Sequence, residues 1–174
     1  MKKYIYTVFI LIFFSCTGSV FGQVDKIKLQ IDSLKYLEGD AMQCNSLVWR
    51  IASNKKDAIQ MLIDKLDDTT TTKATNVCKK ANLRVGDLAY LSLGEMIALP
   101  FFSVTGIQLY VMDENGCQIG KFEYIESNRK KFKQQVHEYC NNNKAHIKWM
   151  ESEDFMLTPC QIENNLHGHY YIPD

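Results

Sequence analysis

The sequence predicts a mainly α-helical fold that forms one small domain, with a short β-hairpin at about 107–122 and a packed C-terminal extension. Apolar residues recur at three- and four-residue steps through most of the chain outside that hairpin, which is the period of amphipathic helices. Between about 107 and 122 the pattern changes to the alternation of a strand, with turn residues in the middle. The tail is rich in large apolar side chains, so we expect it to pack on the helices.

Residues 1–22 have the composition of a secretory signal peptide. Lys2 and Lys3 precede an almost unbroken apolar run over 4–14, and small residues lead to the first polar position. The run is shorter than the roughly 20 residues that a membrane-spanning helix needs, so no transmembrane span is predicted. The chain therefore divides into a signal peptide, 1–22, and a single helical domain, 23–174.

The end of the leader allows two kinds of processing. Val20 and Gly22 stand at the positions that signal peptidase reads, so cleavage would release a protein that begins at Gln23. Alternatively, Ser15 and Cys16 resemble a loose lipoprotein box, in which Cys16 would be lipidated. The cleavage-site chemistry favours Gly22. We therefore expect a periplasmic or secreted protein, with an outer-membrane lipoprotein as the alternative.

The charge balance gives no support to a nucleic-acid-binding function. The chain has 20 basic and 20 acidic residues; the leader contains only the two lysines, so the mature chain would have 18 basic and 20 acidic residues and a net charge of −2. The dense basic stretch Arg129–Lys133 lies in an amphipathic helix pattern, where a solvated helix face explains it. No nucleic-acid partner is expected.

Five cysteines remain after cleavage at Gly22, and export permits disulfides among them. Cys78 lies in a polar loop, Cys117 in a glycine-containing turn and Cys160 beside a proline, so these three are the disulfide candidates. Cys44 and Cys140 fall within helical patterns and are expected to be buried thiols. At least one of the five is unpaired, and the connectivity stays open.

Four helices are predicted before Pro100, each with an apolar stripe on one face. Asp40 is expected to cap the second helix, and residues that disfavour helix follow the first and second. The second and third helices are expected to pack as an antiparallel pair. The approximate bounds are 24–38, 40–53, 56–66 and 85–99.

Residues 67–84 are predicted to form a long surface loop tethered through Cys78, because the stretch is polar and lacks an apolar period. The Asn128–Arg129 pair is expected to anchor this loop through a buried ion pair with Asp87. Two glycines of the fourth helix, Gly86 and Gly94, are expected to allow close helix contacts.

The rest of the chain returns to the helical period. The hairpin turn is assigned to 113–116, where a calcium loop is excluded because the required alternation of oxygen ligands is missing. One helix is predicted from Tyr124 to Cys140, and Asn141–Asn143 would end it.

The segment Asp57–Asp68 carries an Ala-Ile pair and a Leu-Ile pair, and it resembles the second helix of a HEAT-type repeat. Over most of the mature chain the sequence also resembles a family of uncharacterised exported proteins of Gram-negative bacteria. The resemblance implies a HEAT-like helical hairpin and an exported protein, and it implies no activity. The resembling segments are Gly39–Asp40, Trp49–Arg50, Leu62–Asp68, Val85–Tyr90, Gly116–Gly120, Asn128–Phe132 and Thr158–Cys160.

The sequence contains no specific catalytic motif. His167 and His169 are weak candidates for metal ligands, because a strand would place both imidazoles on one face, with Glu163 or Cys160 to complete a site. His-x-His spacing is common by chance. We therefore predict no metal, no cofactor and no catalytic residue.

The function that fits these features is a non-enzymatic protein-interaction module of the cell envelope, whose partner is another envelope or exported protein. One alternative is a metal-dependent hydrolase that uses the region of His167 and His169. Another is an immunity or inhibitor protein against an envelope-acting toxin.

Overall fold

The computed structural model describes residues 22–172, without the side chain of Asp154. The predicted signal peptide up to Phe21, including Cys16, lies outside the described residues, so the leader and its lipidation stay predictions. Within the described range, no helix combines the length and the hydrophobicity that crossing a membrane requires.

The fold is mainly α-helical, as the periodicity predicts. The first helix, α1, covers 22–32 and continues as a 3-10 turn over Ser33–Tyr36; its stripe Ile27, Ile31 and Leu34 is buried. The other helices are α2 (Leu47–Ala52), α3 (Lys56–Lys65), α4 (Val85–Met96), α5 (Phe101–Thr105), α6 (Lys121–Ser127), α7 (Arg129–Asn142) and α8 (Pro159–Glu163).

Two small sheets of two strands complete the fold. Strand β1 (Glu38–Asp40) pairs in parallel with β2 (Lys73–Thr75), and β3 (Lys148–Glu151) pairs antiparallel with β4 (Gly168–Tyr171). The first pair lies partly within the predicted loop 67–84. Strands of three residues carry too little alternation to be recognised in a sequence.

Helix α4 is the centre of the core, and both α2 and α3 pack on it. Its inward side chains Leu88, Ala89, Leu93 and Met96 are fully buried. The C-terminal extension packs on the same helix, as predicted: Ala98 N–H donates to Tyr170 O at 2.9 Å. Together these contacts form one continuous apolar cluster.

The second helix begins later than the sequence predicts. Asp40 does not cap it; instead its Oδ1 accepts from Met42 N–H at 2.9 Å and holds residues 41–46 in turns. Ser46 reinforces the turn by donating its hydroxyl to Ala41 O at 2.6 Å. Side-chain bonds of this kind compete with helix formation, and they put Cys44 in a turn.

The predicted helix 124–140 is two helices that meet at Asn128. The backbone leaves the helical region there, with φ −130° and ψ 26°, and the Asn128 side-chain amide donates to Tyr124 O at 3.0 Å. The break lets Arg129 begin α7 with its side chain directed into the protein, where it is 5% exposed.

Candidate interaction surface

A buried ionic cluster forms at the start of α4. Asp87 is fully buried and accepts from Arg129 Nη2 at 2.8 Å and from Lys79 Nζ at 2.7 Å. The ion pair between Arg129 and Asp87 is therefore the one that the sequence predicts. Removing one member would leave a buried charge uncompensated, which typically costs about 3–5 kcal/mol.

The cluster fixes the loop before α4 to the helices after the hairpin. Glu126 of α6 contacts Lys79 at 3.4 Å and Arg84 at 2.6 Å. The Arg84 backbone N–H donates to Asp87 Oδ2 at 2.9 Å, which satisfies one of the free N–H groups at the start of α4. Five charged side chains from three parts of the chain thus hold one position for residues 79–84.

Two disulfides add covalent links. Cys78 is bonded to Cys117, and Cys160 is bonded to Cys44. The expectation that Cys44 is a buried thiol is wrong, because the turn at 41–46 replaces the predicted helix there.

Cys140 is a free buried thiol, and burial raises its pKa to about 11, so it is protonated and a poor nucleophile at neutral pH.

The Cys78–Cys117 bond ties the loop to a tight turn. Asp113 Oδ1 accepts from the backbone N–H groups of Asn115 and Cys117, both at 2.9 Å. These bonds, led by the one from Cys117, lower the pKa of the Asp113 carboxyl, and desolvation opposes them in part. One antiparallel bridge, Met112 to Gln118, closes the turn, so the predicted hairpin is present in a minimal form.

The Cys78–Cys117 disulfide lines two cavities. The larger, about 770 Å³, is lined by Asp113, Glu114, Glu123 and Glu126, and we call it the acidic cavity. The smaller, about 390 Å³, is mostly apolar, and we call it the apolar cavity. Its apolar lining includes Met42, Val77, Tyr90, Leu91, Met112 and Phe122.

Five large apolar side chains on the two linked loops point away from the core. Each is between 55% and 78% exposed, although they stand on segments held by a disulfide and a buried ion cluster. Val77 and Ile119 both line the acidic cavity, and Val77 and Met112 both line the apolar cavity, which places the two loops side by side. Within the hairpin, the backbone N–H of Ile119 donates to Val111 O at 3.0 Å. We call this group the apolar rim: Val77, Tyr110, Val111, Met112 and Ile119.

The residues that the sequence offered as metal ligands do not assemble into a site. His169 lies in β4 and His167 precedes it, while Cys160 is in a disulfide and Glu163 is exposed. Across 22–172, no group of three or more His, Cys, Asp or Glu side chains is arranged to hold a metal ion.

Sequence reasoning missed the apolar rim. The alternation in 107–122 assigns Val111 and Ile119 to strands with one buried face, whereas both are exposed. One signal in the sequence could have indicated it: in two otherwise polar segments, large apolar residues stand next to cysteines, Val77 beside Cys78 and Ile119 two positions after Cys117. Comparison with protein-family models, with curated proteins and with solved structures found no match to this chain.

Proposed function

We propose that this protein is an exported, non-enzymatic interaction module, and that the apolar rim is the surface that contacts its partner. The observation that carries the proposal is the exposure of five large apolar side chains on loops that are otherwise rigidly held. Scattered single apolar residues on a surface need no explanation, but a contiguous group is typical of a protein-binding site.

Rigidity supports the same interpretation. A loop that is ordered before it binds loses less conformational entropy on association, so its contacts contribute more to affinity. Here Cys78 is bonded to Cys117, and Lys79 is 7% exposed and held by Asp87. The rim therefore stands on preorganised backbone.

Export is the second part of the proposal. Two disulfides are the kind of bond that forms and persists in oxidising compartments, such as the bacterial periplasm. Together with the leader-like residues 1–22, this supports release into the periplasm or the medium, or a membrane tether through Cys16. Within the described residues, no observation favours the hydrolase or the immunity protein over the interaction module.

Site-specific photo-cross-linking tests the proposal. A photoreactive amino acid is placed at Val77 or Ile119, and at Leu29 or Tyr36 as matched controls, in cells of the native host that export the protein through its own leader. Leu29 and Tyr36 are 69% and 73% exposed, so they report on accessibility alone. We expect an adduct of discrete mass from the rim positions only. Adducts of the same yield at all four positions, or none at the rim, would refute the proposal.

A further inference from the structure

The two cavities beside the rim differ in charge, and the difference identifies the chemistry of the partner. In the acidic cavity, Glu126 already pairs with Lys79 and Arg84. Asp113, Glu114 and Glu123 have no salt bridge to any described lysine or arginine. The remaining basic side chain there is Lys80, so the cavity keeps an excess of negative charge.

One of the acidic residues of the cavity, Asp113, also holds the turn in place. Asp113 Oδ1 accepts from the Cys117 and Asn115 backbone N–H groups at 2.9 Å; these bonds lower the pKa of the Asp113 carboxyl, which favours the charged form, and they hold the turn that carries Glu114 and Cys117. Glu123, in α6, lines the same cavity. A cationic group in the cavity would therefore lie near acidic residues of both the turn and the helix.

The apolar cavity shares Cys78 and Cys117 with the acidic cavity but offers a different surface. Its charged lining residue is Lys121, whose Nζ lies 6.0 Å from the centres of the Tyr90 and Phe101 rings. Burial lowers the pKa of Lys121, while Met112 and Val77 expose apolar area at the mouth. This cavity suits a large apolar side chain and disfavours a second cation.

We infer that the rim binds an extended segment of a partner protein that places a lysine or arginine side chain in the acidic cavity and a large apolar side chain in the apolar cavity. The inference rests on the proposed function and adds the chemistry of the ligand to it. The Cys78–Cys117 bond is the divider between the two subsites, since both cysteines line both cavities. Loss of that bond would merge them.

Peptide selection tests the inference directly. A random dodecapeptide library is selected on the full, disulfide-intact protein, and the enriched sequences are read out. We expect peptides in which a lysine or arginine stands near an aliphatic or aromatic residue. An enrichment of acidic or uncharged peptides, or the recovery of no binder, overturns the inference.

Charge variants supply the matched control. The leading peptide is measured by fluorescence anisotropy against Glu114→Gln/Glu123→Gln and against Glu163→Gln, an exposed glutamate that lines neither cavity. We expect the double variant to bind about fourfold to 25-fold more weakly, since each exposed ion pair accounts for about two- to fivefold in affinity. Glu163→Gln should stay within about twofold of the wild type. Equal affinities for all three proteins overturn the inference.

The two proposals can fail separately. If rim photo-cross-links form with a native partner and persist unchanged in Glu114→Gln/Glu123→Gln, the cationic segment is refuted and the interaction module stands. If the rim forms no cross-link at all, the interaction module fails, and the inference fails with it.

Discussion

At the scale of single residues, the two glycines of α4 have opposite roles. Gly86 lies where the helix approaches the preceding chain: a methyl group there would overlap Leu66 O and lie 2.9 Å from Arg129 Nη1. Its N–H also donates to Asp68 O at 3.0 Å. Gly94 has nothing within 4 Å of the position of a Cβ, so the predicted close contact at that glycine is absent.

We therefore expect Gly86→Ala to lower the free energy of unfolding by about 1–3 kcal/mol or more, because a backbone oxygen cannot move aside cheaply. The matched variant Gly94→Ala should raise it by up to about 1 kcal/mol, because alanine is the better helix former and the space is open. Urea unfolding followed by circular dichroism measures both. Similar effects of the two substitutions would contradict the close approach at Gly86.

Glu95 makes the stability of the folded protein depend on pH. Burial raises the pKa of this carboxyl to about 7 from its ordinary value of 4.5. The folded state therefore binds a proton more tightly than the unfolded state does. The contribution of Glu95 to stability is fully present below about pH 4.5, is lost as the pH rises, and is absent above about pH 7.

The variant Glu95→Gln removes this titration. We expect its free energy of unfolding, relative to the wild type, to improve by on the order of 2 kcal/mol between pH 5 and pH 8. Urea unfolding at the two pH values measures the difference. Glu163→Gln, at an exposed position, is the control and should show no such change. Parallel pH profiles for wild type and Glu95→Gln would show that the carboxyl titrates normally.

At the scale of elements, the two disulfides close loops of different length and hold different parts of the molecule. Their sequence separations are 116 for Cys44–Cys160 and 39 for Cys78–Cys117. In the chain-entropy description, opening them costs about 5 and about 4 kcal/mol respectively. The larger loss of stability should therefore come from the bond that does not touch the rim.

Variants that lack one disulfide or the other can therefore distinguish an effect on stability from an effect on binding. We expect Cys44→Ser/Cys160→Ser to unfold at the lower urea concentration yet to keep the photo-cross-links at Val77 and Ile119. Cys78→Ser/Cys117→Ser should be the more stable of the two and should lose those cross-links, because its loops are no longer joined. Stability from urea titrations and cross-link yields from gels are compared for the same preparations. Loss of cross-links in proportion to stability would mean that the disulfide has no specific role at the rim.

The elements also show which parts of the fold local sequence can predict. The stripes of α3 and α4 are periodic over three turns, and both helices lie close to their predicted bounds. The break at Asn128 has a side-chain hydrogen bond to Tyr124 O, and the turn after Asp40 has two, from Met42 N–H to Asp40 and from the Ser46 hydroxyl to Ala41 O. The periodicity of apolar residues carries no information about such bonds. The helical pattern of the sequence therefore continues through both sites, although the helix itself does not.

At the scale of the whole molecule, the same limit applies to the candidate surface. The ion pair of Arg129 with Asp87 was predictable, because a charged residue in an apolar helix start needs a partner of opposite charge. The pairing of β1 with β2 and the division of the two cavities arise from segments distant in sequence. Both features depend on how the other elements pack on α4, and a local sequence pattern does not predict that packing.

If the protein is exported as proposed, the N-terminus of the mature chain decides whether it is released or tethered to a membrane. Cleavage after Gly22 would leave the buried stripe of α1, which begins at Ile27, intact. We therefore expect intact-mass spectrometry of the exported protein to show a chain that begins at Gln23 and is four mass units lighter than its reduced form, two for each disulfide. Gly22→Leu is the control, since a bulky residue at the cleavage position should block processing and leave the leader attached. A mature mass that corresponds to an acylated Cys16 would contradict cleavage after Gly22, and would place the apolar rim at a membrane surface rather than in free solution.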